Sequence, residues 1–181
     1  MKLMFSSDIH GAAECCEKML GAFHREGADK LILLGDLLYH GPRNDLPEDY
    51  APKRVISMLN DEKRNILAVR GNCEAEVDQM VLEFPVMADY MALWLNGHMA
   101  MCTHGHLYDI YNMTNLNIGD IVISGHTHLF TAEERRGIYY INPGSVSIPK
   151  GGNPRSYAVY KEGIFTIRDM EGNELKMLCI K

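Results

Sequence analysis

Seven side chains that bind metal ions well recur at one kind of place in this chain. Asp8 and His10, Asp36, Asn72, His104, and His126 with His128 each follow a short apolar run, and Asp36, Asn72 and His126 come directly after a glycine. They amount to two carboxylates, one amide oxygen and four imidazoles, more than a single tetrahedral zinc can take. The set suits two divalent ions sharing a bridging carboxylate, about 3.5–4 Å apart in binuclear hydrolytic sites. Nitrogen and oxygen donors without a thiolate favour Mn²⁺ first, with Zn²⁺, Fe or Ni²⁺ as alternatives, and disfavour Cu(I) or an iron–sulfur cluster. Taken singly, each residue is ordinary. An Asp after a strand often caps a turn or a helix, and a lone His is often a hydrogen-bonded surface group. The ordinary explanation has to invoke five such coincidences in one chain.

These residues need strands to present them, and the hydrophobic pattern supplies the strands. Lys2–Ser6 reads as a first strand, and a helix over Ala12–Glu26 follows, with Cys16, Met19, Leu20 and Phe23 on one face and Gly27 as its stop. Leu31–Leu34 is a continuous apolar run, the signature of a strand covered on both faces. Leu37–Tyr50 is an irregular loop long enough to be functional. Pro52 opens a second helix with Val55, Ile56 and Leu59 inward, and Ile66–Val69 is a third strand. Strand, helix, strand, helix, strand implies a parallel sheet with right-handed crossovers.

The second half is different in kind. Tyr90–Leu95 and His98–Thr103 flank Asn96-Gly97, a strong two-residue hairpin signal. Ile121–Ser124 and Ile138–Asn142 are further strands. Asn142–Ser145 is a turn, and Ser147–Ser156 a loop rich in Gly and Pro. Tyr157–Lys161, Ile164–Met170 and Glu174–Lys181 close the chain as a meander. The expected architecture is α/β: one domain over residues 1–181, a four-layer α-β-β-α sandwich in which two mixed β-sheets pack face to face with helices outside.

Composition narrows the function classes. The 181 residues carry a formal net charge of −6, a poor match to a nucleic-acid backbone, which is held by clustered Lys and Arg. No stable nucleic-acid complex is expected. The five cysteines are odd in number, two are adjacent, and none forms a C-x-x-C, which argues against a disulfide framework or zinc finger and fits a reduced, cytoplasmic setting. The apolar start, Met1–Phe5, is too short for a signal peptide or a membrane span, so no membrane partner is expected. There is no G-x-x-x-x-G-K-[ST], so a P-loop NTPase is excluded.

Asp8-x-His10, Gly35-Asp36, Gly71-Asn72, His104 and Gly125-His126-x-His128, in that order, resemble the calcineurin-like metallophosphoesterase superfamily. The resemblance spans most of the chain. It implies that Asp8, His10, Asp36 and His128 hold one metal ion and that Asp36, Asn72, His104 and His126 hold a second, with Asp36 bridging. It implies a hydroxide between the ions that attacks phosphorus in line, with Asn72, Cys73 and His104 around the reacting group. The substrate it implies is a small phosphodiester. The alternatives are a phosphomonoesterase or nucleotidase on the same site, or a protein-binding scaffold such as the retromer subunit of this fold. Self-association into a homo-oligomer is compatible with so compact a chain.

At one position the chain leaves the pattern. Many members have Gly-Asn-His followed by an acid, where the His is taken to protonate the leaving oxygen; here it is Cys73. A thiol with a reference pKa of about 8.5 gives up its proton at neutral pH less readily than an imidazolium, which favours diesters over alkyl monoesters. Cys73 is otherwise a small packing residue. His40 and His106 are the other histidines expected near the site and the substitute proton donors. Arg43, Arg70, Lys150 and Arg155 are the cations available to hold a phosphate, and the backbone of Gly151-Gly152 could meet an oxyanion.

Overall fold

The computed structural model describes residues 1–181. In chain order the elements are β1 (Lys2–Ser6), α1 (Ala13–Glu26), β2 (Lys30–Leu33), α2 (Pro52–Asp61), β3 (Ile66–Ala68), α3 (Glu76–Val81), β4 (Tyr90–Leu95), β5 (His98–Thr103), β6 (Ile121–Ile123), β7 (Thr131–Arg135), β8 (Ile138–Asn142), β9 (Ser156–Lys161), β10 (Ile164–Asp169) and β11 (Glu174–Cys179). They build a six-stranded sheet in the order β11-β10-β9-β1-β2-β3 and a five-stranded sheet in the order β4-β5-β6-β8-β7. Both are mixed. β1, β2 and β3 run parallel, and β9 joins β1 antiparallel. In the second sheet β5, β6 and β8 run parallel, with antiparallel hairpin partners at the two edges.

The alternation of side chains along β1 and β2 creates two cores. Met4, Leu31 and Leu33 point to one face, where they meet Cys16, Met19 and Phe23 of α1 and Leu59 of α2. Phe5, Ile32 and Leu34 point to the other, where they meet Cys102, Ile121, Ile123 and Ile141 of the second sheet together with Phe165 and Ile167. The continuous apolar run of β2 is the sequence trace of this double coverage. The expected face-to-face mixed sheets are present, and the helices lie outside the six-stranded sheet. The outer face of the five-stranded sheet carries a loop instead: Tyr108 packs edge-on to Tyr90, and Tyr111 hydrogen-bonds Arg135, whose guanidinium lies 5.1 Å over the Tyr140 ring.

Two elements escape the sequence pattern. β7 reads Thr-Ala-Glu-Glu-Arg and buries only Ala132, because it is an edge strand with one dry position. Its hairpin turn is Arg136-Gly137, both at positive φ, where the commoner first residue is Asn. α3 is only six residues long and buries none of them, too short a stretch for helical periodicity to register.

Candidate metal centre

Parallel strands in both sheets end on the same side of the molecule, and their carboxyl-end loops converge. The loops after β1, β2, β3, β5 and β6 bring together the seven side chains singled out in the sequence. Asp8, His10, Asp36, His104 and His128 are almost wholly buried. His128 Nε2 lies 3.3 Å and His10 Nε2 3.6 Å from Asp8 Oδ1. Asp36 Oδ2 sits between the two halves of the cluster, 3.7 Å from His10 Nε2 and 3.5 Å from His104 Nε2. On the far side His104 Nε2 lies 3.1 Å from Asn72 Oδ1 and 3.2 Å from His126 Nδ1.

The groups are aimed. His10, His104 and His128 each donate Nδ1–H to a backbone carbonyl, of Tyr39 at 2.9 Å, Leu34 at 2.7 Å and Ile148 at 2.5 Å. Each Nε2 lone pair is thereby left facing the cluster, the usual way a protein orients a metal-binding imidazole. Asp36 Oδ1 accepts from Cys73 N at 2.9 Å, leaving Oδ2 for the centre. Asp8 Oδ2 accepts from His126 N at 3.1 Å, leaving Oδ1.

The backbone is strained to do this. Asp8, His10, Asp36, His126 and His128 all have φ between 50° and 65°, a region costly for residues with a Cβ. The remaining non-glycine residues at positive φ, Asn96, Arg136 and Glu162, are hairpin-turn residues. Strain outside turns is therefore confined to the ligand-type positions. The loops also approach one another too closely for side chains. A Cβ at Gly71 would overlap the Asp36 carboxylate, and one at Gly125 would overlap Ser7.

Metal ions fit this cluster on its own evidence. Asp8 Oδ1 and His10 Nε2 are buried with no hydrogen-bond partner, a situation proteins otherwise avoid. Asp8–His10–His128, Asp8–Asp36–His104 and His10–Asp36–Cys73 each bring their donor atoms close enough together to hold an ion. Burial opposes ionisation of Asp8, but the neighbouring His10, His128 and His104 imidazoles outweigh it and hold the carboxyl well below the usual range. Asp36 is likewise lowered, against its burial, by His104. Burial works against His104 as a cation too, yet Asp36 and Asp8 push it up to about 9. The two carboxylates draw positive charge into the centre.

Residues with no metal-type signature hold the loops. Glu74 is buried, and its carboxylate accepts from Leu37 N at 2.7 Å, Asp36 N at 2.8 Å and Gly71 N at 2.5 Å. Burial and the Asp36 charge push it up to about 7. Ser145 Oγ and Ser147 Oγ both donate to Asp8 O at 2.9 Å. Asn142 Nδ2 donates to Gly125 O at 2.8 Å, so the turn after β8 clamps the Asp8 loop and the His126 loop together. Removing the Glu74 clamp strands buried donors, at about 1–3 kcal/mol each. Glu74→Ala is expected to lower the melting temperature and to weaken metal binding by about 10- to 100-fold, the usual effect of removing outer supports. Superimposable melting curves for the two proteins would show that the carboxylate holds nothing.

The cluster opens into a polar cleft of about 390 Å³ lined by Asp36, Asn72, His126 and His128 together with Arg43, Asn44, Cys73 and Lys150. Of the four cations considered as phosphate holders, Arg43 and Lys150 line it. Arg70 instead pairs with Asp89 at 2.7 Å, and Arg155 donates to Ser147 O at 3.2 Å beside a separate recess. Gly151 and Gly152 lie outside the lining, as do the two spare histidines. His40 packs against the Tyr39 and Tyr50 rings, and His106 against His104 and His126. Burial and its two imidazole neighbours push His106 down to about 4, so it is a neutral ring at physiological pH. Cys73 is the one proton-donor candidate in the cleft. Burial and the nearby Asp36 carboxylate push its thiol well up, away from the thiolate, and no reactive nucleophile results.

Groups able to hold cations, set beside the unpaired cations of Arg43 and Lys150, serve a substrate that carries phosphoryl oxygens, and the molecule is a hydrolytic phosphoesterase. The chain belongs to the calcineurin-like phosphoesterase superfamily, whose domain model matches residues 1–163. It is 50% identical to the phosphodiesterase YfcE of Escherichia coli strain K12 over 167 residues, covering 92% of this chain and 91% of that one. A solved structure of E. coli YfcE, described as a phosphoesterase, superposes with a TM-score of 0.97 at 46% identity over 100% of both chains. The probable metallophosphoesterase YsnB of Bacillus subtilis strain 168 is 28% identical, covering 98% of this chain and 96% of its own. The five-part pattern in the sequence pointed to this family.

Proposed function

We propose that the chain, acting as one domain over residues 1–181, is a metal-dependent phosphodiesterase of small substrates. The observation that carries this is the buried pair Asp8 Oδ1 and His10 Nε2, unpartnered among the clustered carboxylates and imidazoles. The likeness to YfcE, named a phosphodiesterase, supports the diester specificity. Asp8, His10, Asp36 and His128 would hold one ion and Asp36, Asn72, His104 and His126 the other, with Asp36 shared between them. When bound, two such ions supply a hydroxide at neutral pH and neutralise phosphoryl oxygens. Mn²⁺ suits these donors best, with Zn²⁺, Fe or Ni²⁺ able to replace it.

The chain's own residues set the rest. Arg43 and Lys150 bind the phosphate oxygens that point away from the centre, and Asn72 and His104 fix the reacting group. Cys73 keeps its proton, so a poor leaving group departs unaided. Diesters of acidic alcohols are therefore the better substrates. The five thiols are all unpaired, in keeping with a reducing, cytoplasmic location, and no helix is long and apolar enough to cross a membrane.

A chromogenic phosphodiester, assayed with metal-stripped protein and with each divalent ion added back, tests the reading. Activity restored by divalent metal, Mn²⁺ foremost, is expected, whereas full activity with chelator present throughout would overturn it. Ions that bind only the folded chain stabilise it by mass action, about 2.7 kcal/mol per site at 100 times Kd. Chelation is accordingly expected to lower the melting temperature. Identical melts with and without excess Mn²⁺ would mean a weakly occupied centre and would favour the scaffold.

A further inference from the structure

Beside the polar cleft lies a second hollow of opposite character. It has a volume of about 420 Å³ and is lined mainly by apolar side chains, including Tyr39, Tyr50, Ile56, Val77 and Val81. Three segments build it: the Asp36 loop, the start of α2, and α3. The two hollows share Cys73, which lines both. Tyr39, Val77 and Val81 are 42%, 58% and 39% exposed. They form an apolar wall that the fold itself does not need, within a molecule whose cores lie elsewhere. α3, which supplies most of that wall, buries none of its residues. Gln79 ties the helix to the backbone of Leu82, Phe84 and Val86, while Val77 and Val81 stay on the surface.

We infer that this hollow is the subsite for one ester group of the substrate, and that it selects an apolar group of aromatic-ring size. The inference rests on the phosphodiesterase reading. A phosphodiester has two alcohol groups on one phosphorus. With phosphorus at the ligand cluster, one group stays in the polar cleft beside Arg43, Asn44 and Lys150. The other passes over the small Cys73 side chain into the apolar hollow. Water in such a hollow is readily displaced by apolar surface, and each methylene fully buried there strengthens binding by roughly fourfold. A ring partly covered by Tyr39, Ile56, Val77 and Val81 should gain about tenfold over a methyl group.

Phosphonates test this without turnover, the phosphonate head standing for the phosphoryl group and its substituent for the ester group. Methyl-, butyl- and phenylphosphonate are titrated calorimetrically into the Mn²⁺-loaded protein. Affinity should rise along the series, about tenfold from methyl to phenyl. The doubly substituted Val77→Asn/Val81→Asn protein, altered only at positions outside both cores, should lose that gain and bind methylphosphonate as the parent does. Phenylphosphonate binding no tighter than methylphosphonate, or a gain that survives the double substitution, overturns the subsite and leaves the phosphodiesterase reading standing. If methylphosphonate itself fails to bind, the phosphodiesterase reading falls and takes the subsite with it.

Discussion

Asp36→Asn is expected to lower phosphodiester hydrolysis by at least about 100-fold, since removing mere outer supports of a metal ligand already costs 10- to 100-fold. Asp36 Oδ2 lies within 3.7 Å of His10 Nε2 on one side and 3.5 Å of His104 Nε2 on the other, so one oxygen serves both halves of the centre. An amide brings no charge to either. The substitution leaves the local fold in place, because an amide oxygen can still accept the hydrogen bond from Cys73 N that Oδ1 accepts now. Metal analysis separates loss of ions from loss of structure. Two ions bound at the parent affinity would show that Asp36 is not the bridge.

Cys73→His is the second large effect, and its sign is a gain. Imidazole, with a reference pKa near 6.5, holds and releases a proton at neutral pH, whereas this thiol is pushed further from release by burial and by Asp36. General-acid help of this kind is worth about 10²- to 10⁴-fold when the geometry is right. It should fall mainly on monoesters and on esters of weakly acidic alcohols, since a good leaving group needs no proton. Rates for esters of rising leaving-group pKa, measured in both proteins, give the answer as a slope. A uniform drop across the series, with metal content and melting temperature intact, would make Cys73 a packing residue.

The seven converging side chains were legible because they stand at the ends of five apolar runs, a local signal that survives without knowledge of the fold. The supports were not. Glu74 reaches Asp36 N across 38 residues, and Ser145 and Ser147 reach Asp8 O across 137 and 139. These bonds go to backbone groups, which leave no mark on the partner's sequence. The positive φ values were equally hidden. Asp8, His10, Asp36, His126 and His128 are of residue types that enter this region more readily than most, yet no local pattern announces that all five do. The sheets followed from periodicity wherever a strand had a buried face. They failed at β7, whose single dry residue leaves almost no pattern.

The two serines that clasp Asp8 also set a clock on assembly. β1 precedes every other strand described, yet it is an inner strand, and its antiparallel neighbour β9 begins only at Ser156. A nascent chain can pair β1 with β2 early. It cannot lock the Asp8 loop until Ser145 and Ser147 emerge, nor flank β1 on its other side until β9 follows. At about 5–20 residues per second, that interval is about seven to thirty seconds. Throughout it, Asp8 and His10 are tethered near Asp36 without their final restraint, and one edge of β1 is open to any passing strand. A chain cut before Ser145 would accordingly carry all seven converging side chains and lack the two serines that clasp the Asp8 loop.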